Sequence, residues 1–183
     1  MKRIISIFAL CCAGSASAQD YFAGAAIIAP GNTNLDTQAG RIKSNNDPLR
    51  FKLYGGMAVS DNFALEAGYA HFGKDRFTVS GASVGISSDT VYVAARATWR
   101  LGDSFELFGR AGISAQRYRM DGLADAGNSK SGFSPLIGLG LGYKLTDKIT
   151  LTLEAEHFGR IDVSNKGRHF GRGGYSAGLK YSF

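Results

Sequence analysis

The stretch VSDNFALEAGY, residues 59–69, joins a short polar turn to a strictly alternating run. Ser60, Asp61 and Asn62 favour a tight turn, because their side chains hydrogen-bond to nearby backbone groups. After the turn, larger apolar residues alternate with small or polar ones, and Glu66 stands in the middle of the second set. A period of two indicates a β-strand with two different faces. The stretch predicts a β-hairpin and raises the question of whether Glu66 faces water.

Two later stretches repeat this arrangement. They are LGDSFELFGRAG, beginning at Leu101, and LTDKITLTLEAEHFG, beginning at Leu145. Each joins an apolar strand end to a short polar turn that contains an aspartate, so that Asp61, Asp103 and Asp147 hold equivalent positions. Short polar turns between alternating runs are typical of tight hairpins. The sequence therefore predicts three of them.

The alternation extends outward from these turns and predicts eight strands. Their expected ranges are residues 21–29, 50–59, 63–73, 90–101, 105–117, 132–145, 149–160 and 173–183. Longer polar connections are expected at residues 30–49, 74–89, 118–131 and 161–172. Short and long connections alternate along the chain, which predicts that all short turns lie at one end of the molecule.

Each strand has one apolar face and one face that mixes glycine with charge. On the last strand the apolar face consists of Tyr175, Ala177, Leu179, Tyr181 and Phe183. A soluble β-sandwich or lipocalin-like barrel would pack such faces inward. A membrane barrel needs strands of about 9–11 residues that are apolar outside and polar inside. Strand length, strand number and the unequal connections favour an all-β fold, an eight-stranded antiparallel up-and-down transmembrane β-barrel.

The first residues have the features of a secretory signal. Lys2 and Arg3 precede a short apolar run and the small residues before Gln19, so we expect a signal peptide at residues 1–18. Cys11 and Cys12 both fall within it, which leaves the remaining chain without cysteine. We expect residues 19–183 to form one barrel domain with no further domain after the last strand. The net charge of +6 does not by itself indicate a nucleic-acid partner.

Aromatic residues are expected in two girdles on the outer face, as at the two interfaces of a membrane. Near the short turns the predicted girdle contains Tyr21, Phe63, Trp99, Phe105, Tyr143, Tyr181 and Phe183. Near the long connections it contains Phe51, Tyr69, Phe133 and Tyr175.

Charged residues on the inner face must pair, because a barrel of eight strands has room inside only for side chains and an isolated buried charge is very unfavourable. We expect an interior salt-bridge network of Glu66, Arg96, Arg110 and Glu154. Strand register is not visible in the sequence, so the contacting pairs stay open. By strand parity the inward set is Glu66, Arg96, Arg100, Glu106, Arg110, Lys144, Glu154, Glu156 and Lys180. The glycines of IGLGLGYK, residues 137–144, are expected to leave space for large neighbours in the lumen.

With these features the chain resembles the small outer-membrane β-barrel family typified by the transmembrane domain of OmpA. The resemblance lies in YFAGAAI, FKLYGGMAVSDNFALEAGYAHFG, LTLEAEHFGR and YSAGLKYSF. The last stretch is similar to the signal recognised by the outer-membrane assembly machinery, with Tyr181 and Phe183 as its apolar positions. The resemblance implies an outer-membrane location and an interior salt-bridge network that plugs the lumen. It also implies the alternative of a narrow porin-like channel gated by that network.

A lipid A-modifying enzyme is a further alternative. His71 and His157 are expected on the outer face near the long connections, and Ser164 is near His157 in sequence. Neither histidine belongs to a His-x-Ser arrangement, and catalysis by a serine needs a base within hydrogen-bonding reach. We therefore expect both to be interfacial polar aromatics, and we expect no catalytic residue, no cofactor and no metal site.

The last long connection and its flanks are rich in cations, with Asp162 as their acidic neighbour. Facing the outer leaflet, these cations are candidates for holding lipopolysaccharide phosphates by charge-assisted hydrogen bonds. The alternative is a solvated loop. The candidate contacts are Arg160, Lys166, Arg168 and Arg172. The sequence thus predicts a monomer with a structural and surface-interaction role, whose partners are outer-membrane lipids, lipopolysaccharide and the assembly machinery.

Overall fold

The structure is a computed structural model that describes residues 20–29, 34–37, 40–43, 49–79, 82–121, 130–164 and 168–183. The predicted signal peptide, residues 1–18, lies outside these ranges. None of the described residues belongs to a helix long and apolar enough to cross a membrane. The strands are β1 (Tyr21–Ile28), β2 (Asn34–Thr37), β3 (Gly40–Lys43), β4 (Phe51–Ala58), β5 (Phe63–Val79), β6 (Ala82–Leu101), β7 (Phe105–Asp121), β8 (Lys130–Lys144), β9 (Ile149–Ser164) and β10 (Arg168–Ser182).

Eight strands form a closed barrel in the order β1-β10-β9-β8-β7-β6-β5-β4. The barrel closes because β1 pairs on both sides: Ala25 lies opposite Leu179 of β10 and opposite Leu53 of β4, both antiparallel. The short strands β2 and β3 form a separate two-stranded sheet in the connection from β1 to β4. The predicted eight-stranded antiparallel barrel is confirmed. Because the barrel is closed, the backbone N–H and C=O groups at every strand edge are paired, which matters because lipid cannot hydrogen-bond to them.

The three predicted tight turns are confirmed. The turn after β4 is closed by a hydrogen bond from the Val59 amide to the Phe63 carbonyl, 2.8 Å, and the turn after β8 by one from Leu145 to Ile149, 2.9 Å. In the turn after β6, Gly102 has a φ of 73°, which glycine adopts without a steric penalty. All three turns lie at one end, which faces the periplasm in outer-membrane barrels.

The predicted strand ends at the opposite side of the barrel are wrong in several places. Strands β5 and β6 remain paired as far as Val79 opposite Ala82, well into the expected connection 74–89. Phe77 and Val79 still alternate with polar residues here, but the glycine, serine and charged residues of the stretch favour a connection when the sequence is considered alone. The predicted end of the strand at Gly73 is instead a β-bulge, where the register shifts between His71 and Lys74 and Gly73 has a φ of 66°.

The barrel is inside-out compared with a soluble protein. Along β9, Leu151 and Leu153 are exposed on the outer face, while Thr152 and Glu154 are 0% and 4% exposed in the lumen. Nine of the eleven residues of the predicted aromatic girdles are exposed, Phe133 for example by 82%, and the other two, Phe51 and Tyr69, are half-buried. A polar interior within an apolar wall is the pattern of a transmembrane barrel.

The apolar wall predicts an effect of charge on stability. An arginine in place of Leu139, which is 65% exposed midway along β8, should lower the free energy of unfolding from lipid vesicles by about 2–4 kcal/mol, because it faces the hydrocarbon. Asp103→Arg, in an exposed turn, is the control and should have little effect. Urea titration followed by the fluorescence of the single tryptophan, Trp99, measures both. Equal effects would contradict a lipid-facing wall.

Candidate functional site

The lumen is the candidate functional site, and Glu66 lies near its middle. Strand β5 turns this carboxylate inward, where Glu66 is 1% exposed. Its Oε1 accepts a hydrogen bond from the Tyr92 hydroxyl, 2.7 Å, and lies 3.1 Å from Nη1 of Arg110. Its Oε2 lies 3.6 Å from Nη1 of Arg96. Glu66 therefore does not face water; it lies between two guanidinium groups.

Arg110 is the centre of the charged cluster. Besides Glu66, its guanidinium donates to Glu154 Oε2 at 2.8 Å and to Glu156 Oε1 at 2.6 Å. Strand β7 brings Arg110 directly opposite Arg96 of β6, so two like charges are neighbours on the inner face. The repulsion between them is offset by Glu66 of β5, which lies beside both guanidinium groups, and by further carboxylates from β9 at Arg110 and from β7 at Arg96.

Sequence analysis missed Lys52, which completes this cluster. Lys52 is 0% exposed, and its Nζ lies 2.5 Å from Glu154 Oε2 and 2.6 Å from Glu156 Oε2. The signal was present in the sequence: Phe51 and Leu53 face outward, so parity turns Lys52 inward.

Glu106 links the cluster to the periplasmic end. Its Oε1 lies 3.2 Å from Nη2 of Arg96 and 2.7 Å from Nζ of Lys180. Among the described residues, the connected lumen network thus contains four cations and four carboxylates, so its formal charge balances. Its members are Lys52, Arg96, Arg110, Lys180, Glu66, Glu106, Glu154 and Glu156.

Glycines opposite the large inward side chains make room for them. A Cβ at Gly68 would lie 2.5 Å from the Tyr92 ring, and one at Gly142 would lie 2.5 Å from Cγ of Glu106. Real side chains do not approach this closely. The expectation that the glycines of residues 137–144 leave lumen space is confirmed.

An aromatic layer also fills the lumen. Phe158 contacts Phe72 edge-on, with ring centroids 5.5 Å apart, and lies 6.2 Å from the Tyr92 ring. Leu136 and Ile28 belong to the same buried cluster. Because Tyr92 also donates to Glu66, it connects the aromatic layer to the charged network.

An open cavity of about 310 Å³ occupies the periplasmic mouth. It extends from the turn after β4 and the end of β10 to Arg96 and Glu106, which belong to the charged network. Arg100 and Lys180 also line it. Water therefore reaches the lower edge of the network from this side.

The histidines considered for catalysis lie on the outer wall. His157 is exposed, and His71 is half-buried with its Nδ1 2.7 Å from Oδ1 of Asp89, which also accepts a hydrogen bond of 2.6 Å from the Tyr69 hydroxyl. Among the described side chains, no serine or threonine hydroxyl hydrogen-bonds to His71. The side chain of Ser164 lies outside the described part of the chain.

Two other predicted sites lie mostly at the ends of the barrel. Phe183 and Tyr181, the assembly-signal positions, are exposed and contact each other with ring centroids 5.1 Å apart. Of the predicted lipopolysaccharide contacts, Lys166 lies outside the described residues. The structure describes only the backbone of Arg160, Arg168 and Arg172.

Neutralising Glu66 should destabilise the barrel. Glu66→Gln keeps the size of the side chain but leaves Arg96 and Arg110 short of one negative charge, and breaking a buried ion pair costs about 3–5 kcal/mol. Thermal unfolding in detergent micelles should occur at a lower temperature than for the native chain. The matched control is Asp147→Asn in an exposed turn, and equal unfolding temperatures for the native protein, Glu66→Gln and the control would count against the network.

Lys52 and Glu154 should be energetically coupled. Lys52→Met leaves Glu154 and Glu156 to share Arg110, so the single variant should be strongly destabilised. Adding Glu154→Gln removes the surplus negative charge. The double variant should therefore lose less stability than the two single variants together, by about 1–3 kcal/mol. Strict additivity in urea titrations would show that the two side chains do not interact.

Comparison with known proteins gives the same architecture. The structure is similar to Neisserial surface protein A, with a TM-score of 0.58 and 17% identity over 93% of this chain and 100% of that one. It is also similar to Ail, the attachment invasion locus protein of Yersinia pestis, with a TM-score of 0.53 and 16% identity over 90% and 97% of the two chains. The N-terminal β-barrel domain of Pseudomonas aeruginosa OprF gives a TM-score of 0.56 and 13% identity over 90% and 97%.

These identities support a common fold and nothing finer. No curated protein matches the sequence significantly. The family model of the OmpA-like transmembrane domain, however, matches residues 14–183, nearly the whole chain. Together with the closed barrel, this match establishes that the chain belongs to the OmpA-like transmembrane domain family and is a β-barrel protein of the outer membrane.

Proposed function

We propose that this protein is a closed, monomeric barrel that contributes to the integrity of the outer membrane and presents its long hairpins at the cell surface. The observation that carries the proposal is the filling of the lumen by two successive layers, one charged and one aromatic. A solute that passed the cavity at the periplasmic mouth would have to break the ion pairs of Arg96 and Arg110. It would then have to part the rings of Phe72 and Phe158.

Opening the charged layer would be energetically unfavourable. Arg110 is 1% exposed at its side chain and engages three carboxylates, so moving it aside would leave several buried charges without a partner. The aromatic layer adds a dry barrier in series with it. A static plug is therefore the role that the lumen supports best, and it requires no ligand and no catalysis.

The alternative is a narrow channel gated by the network. One observation favours it: Glu106 Oε1 is shared by Arg96 and Lys180, so a cation can exchange partners without leaving the network. Such an exchange acts only on the charged layer, and a conducting state would also require movement of Phe158. We therefore retain the channel as the second candidate.

Conductance distinguishes the two roles. In planar lipid bilayers the native protein should give no sustained current, and Glu66→Gln should remain closed because the aromatic layer is intact. Insertion is verified by resistance of the folded barrel to sodium dodecyl sulfate before boiling. Reproducible single-channel steps whose size or frequency changes in Glu66→Gln would favour the gated channel and overturn the closed barrel.

The envelope role has its own test. Cells that lack the protein should take up a hydrophobic fluorescent dye faster than cells that contain it, and the native gene should restore the slower rate. Lipid A from the two strains should have the same mass, because we propose that the protein is not a lipid A-modifying enzyme. A mass difference would contradict this, and equal dye uptake would contradict the envelope role.

At the surface, we propose that Arg160, Lys166, Arg168 and Arg172 hold lipopolysaccharide phosphates. The support is their charge and the extension of β9 and β10 at the outer end of the barrel, where Arg160 pairs with Gly171. Replacing Arg168 and Arg172 by glutamine should reduce the lipopolysaccharide that co-purifies with the protein. Undiminished co-purification would remove this contact and leave the closed barrel unaffected.

A further inference from the structure

A second basic surface lies on the outer wall of the barrel, away from the β9–β10 hairpin. It consists of two cross-strand rows on β5, β6 and β7. The first row is His71, Asp89 and Arg117, and the second is Lys74, Ser87 and Arg119. We call these six residues the wall patch. Arg117 and Arg119 are exposed, and the other four side chains are half-buried.

The position of the wall patch relative to the lipid is set by the rows below it. The next row toward the periplasm contains Tyr69, Val91 and Ala115, and Val91 is 54% exposed. Tyr69 and its neighbour Phe51, 6.1 Å apart between ring centroids, belong to the outer aromatic girdle. The wall patch therefore begins where the apolar wall ends, at the level of the lipid headgroups of the outer leaflet.

The charge of the wall patch is predominantly positive. Lys74, Arg117 and Arg119 are cations, and Asp89 is the one carboxylate in the two rows. Asp89 is engaged by Tyr69 and His71, at 2.6 and 2.7 Å, and also attracts Arg119 electrostatically, so its single negative charge is shared among three neighbours. The two arginines project from one strand on the same face, two residues apart, a spacing at which both guanidinium groups can reach one phosphate.

We propose that the wall patch binds the phosphate of an anionic lipid headgroup in the outer leaflet, with Arg117 and Arg119 as the donors. A guanidinium is suited to this role, because its planar donors match phosphate oxygens in pairs. The acyl chains of the same lipid would lie against Val91 and Ile113 below, both exposed on the outer face. The proposal rests on the proposed membrane orientation but does not depend on the closed lumen or on the hairpin cations.

Lipid binding in nanodiscs tests the proposal. The native protein is reconstituted with bisphosphorylated lipid A or with phosphate-free lipid A at equal density, and the lipid retained after exchange is measured by mass spectrometry. Arg117→Gln/Arg119→Gln should retain at least fivefold less bisphosphorylated lipid A than the native protein. Arg100→Gln, at the periplasmic end, removes the same kind of charge and should retain as much as the native protein.

The native protein itself supplies a second test that does not depend on the folding of a variant. It should retain phosphate-free lipid A at least fivefold less well than the bisphosphorylated form. Equal retention of the two lipids, or undiminished retention by Arg117→Gln/Arg119→Gln, would overturn the wall site. If only Arg168→Gln/Arg172→Gln lost lipopolysaccharide, this would also overturn the wall site. The same result would support the hairpin contact of the proposed function.

Discussion

The narrow lumen is the constraint on which the rest of the structure depends. Eight strands enclose a space that side chains alone can fill, so a charge that points inward must find its counter-charge inside the barrel. The network meets this requirement with Arg110 among three carboxylates and Lys52 between two of them. Glycines on the adjacent strands provide the volume that these long side chains need.

The outside of the barrel follows from a second requirement, contact with lipid. Apolar residues that would form the core of a soluble protein lie on the outer wall, and the aromatic girdles mark its limits. Where the apolar wall ends, the chain places arginines on the outside at Arg117 and Arg119, and strands continue as paired hairpins beyond it. The same alternation of side chains thus determines both the closed interior and the surface that meets lipid headgroups.

Strand parity is sufficient to predict the barrel and the inward direction of Glu66, Arg96 and Glu154, because a period of two assigns each side chain to a face. It is not sufficient to predict contacts across the lumen, which depend on register and on side-chain length. Lys52 shows the difference, since its Nζ reaches β9 from β4. The lengths of the outer hairpins do not follow from parity for another reason: residues 74–89 are rich in glycine, serine and charge, which favours a loop, although Phe77 and Val79 continue the alternation and the backbone remains paired.

The central claim is that the charged layer is closed to water at its centre, around Arg110, and that its charges balance within the lumen. Water-edited solid-state NMR of the protein in lipid bilayers tests this most directly, by measuring magnetisation transfer from water to arginine side chains. Arg100 lies exposed at the periplasmic mouth, whereas the side chain of Arg110 is 1% exposed. The account predicts rapid transfer to Arg100 and almost none to Arg110. Equally rapid transfer to both guanidinium groups would show a water-filled lumen and contradict it.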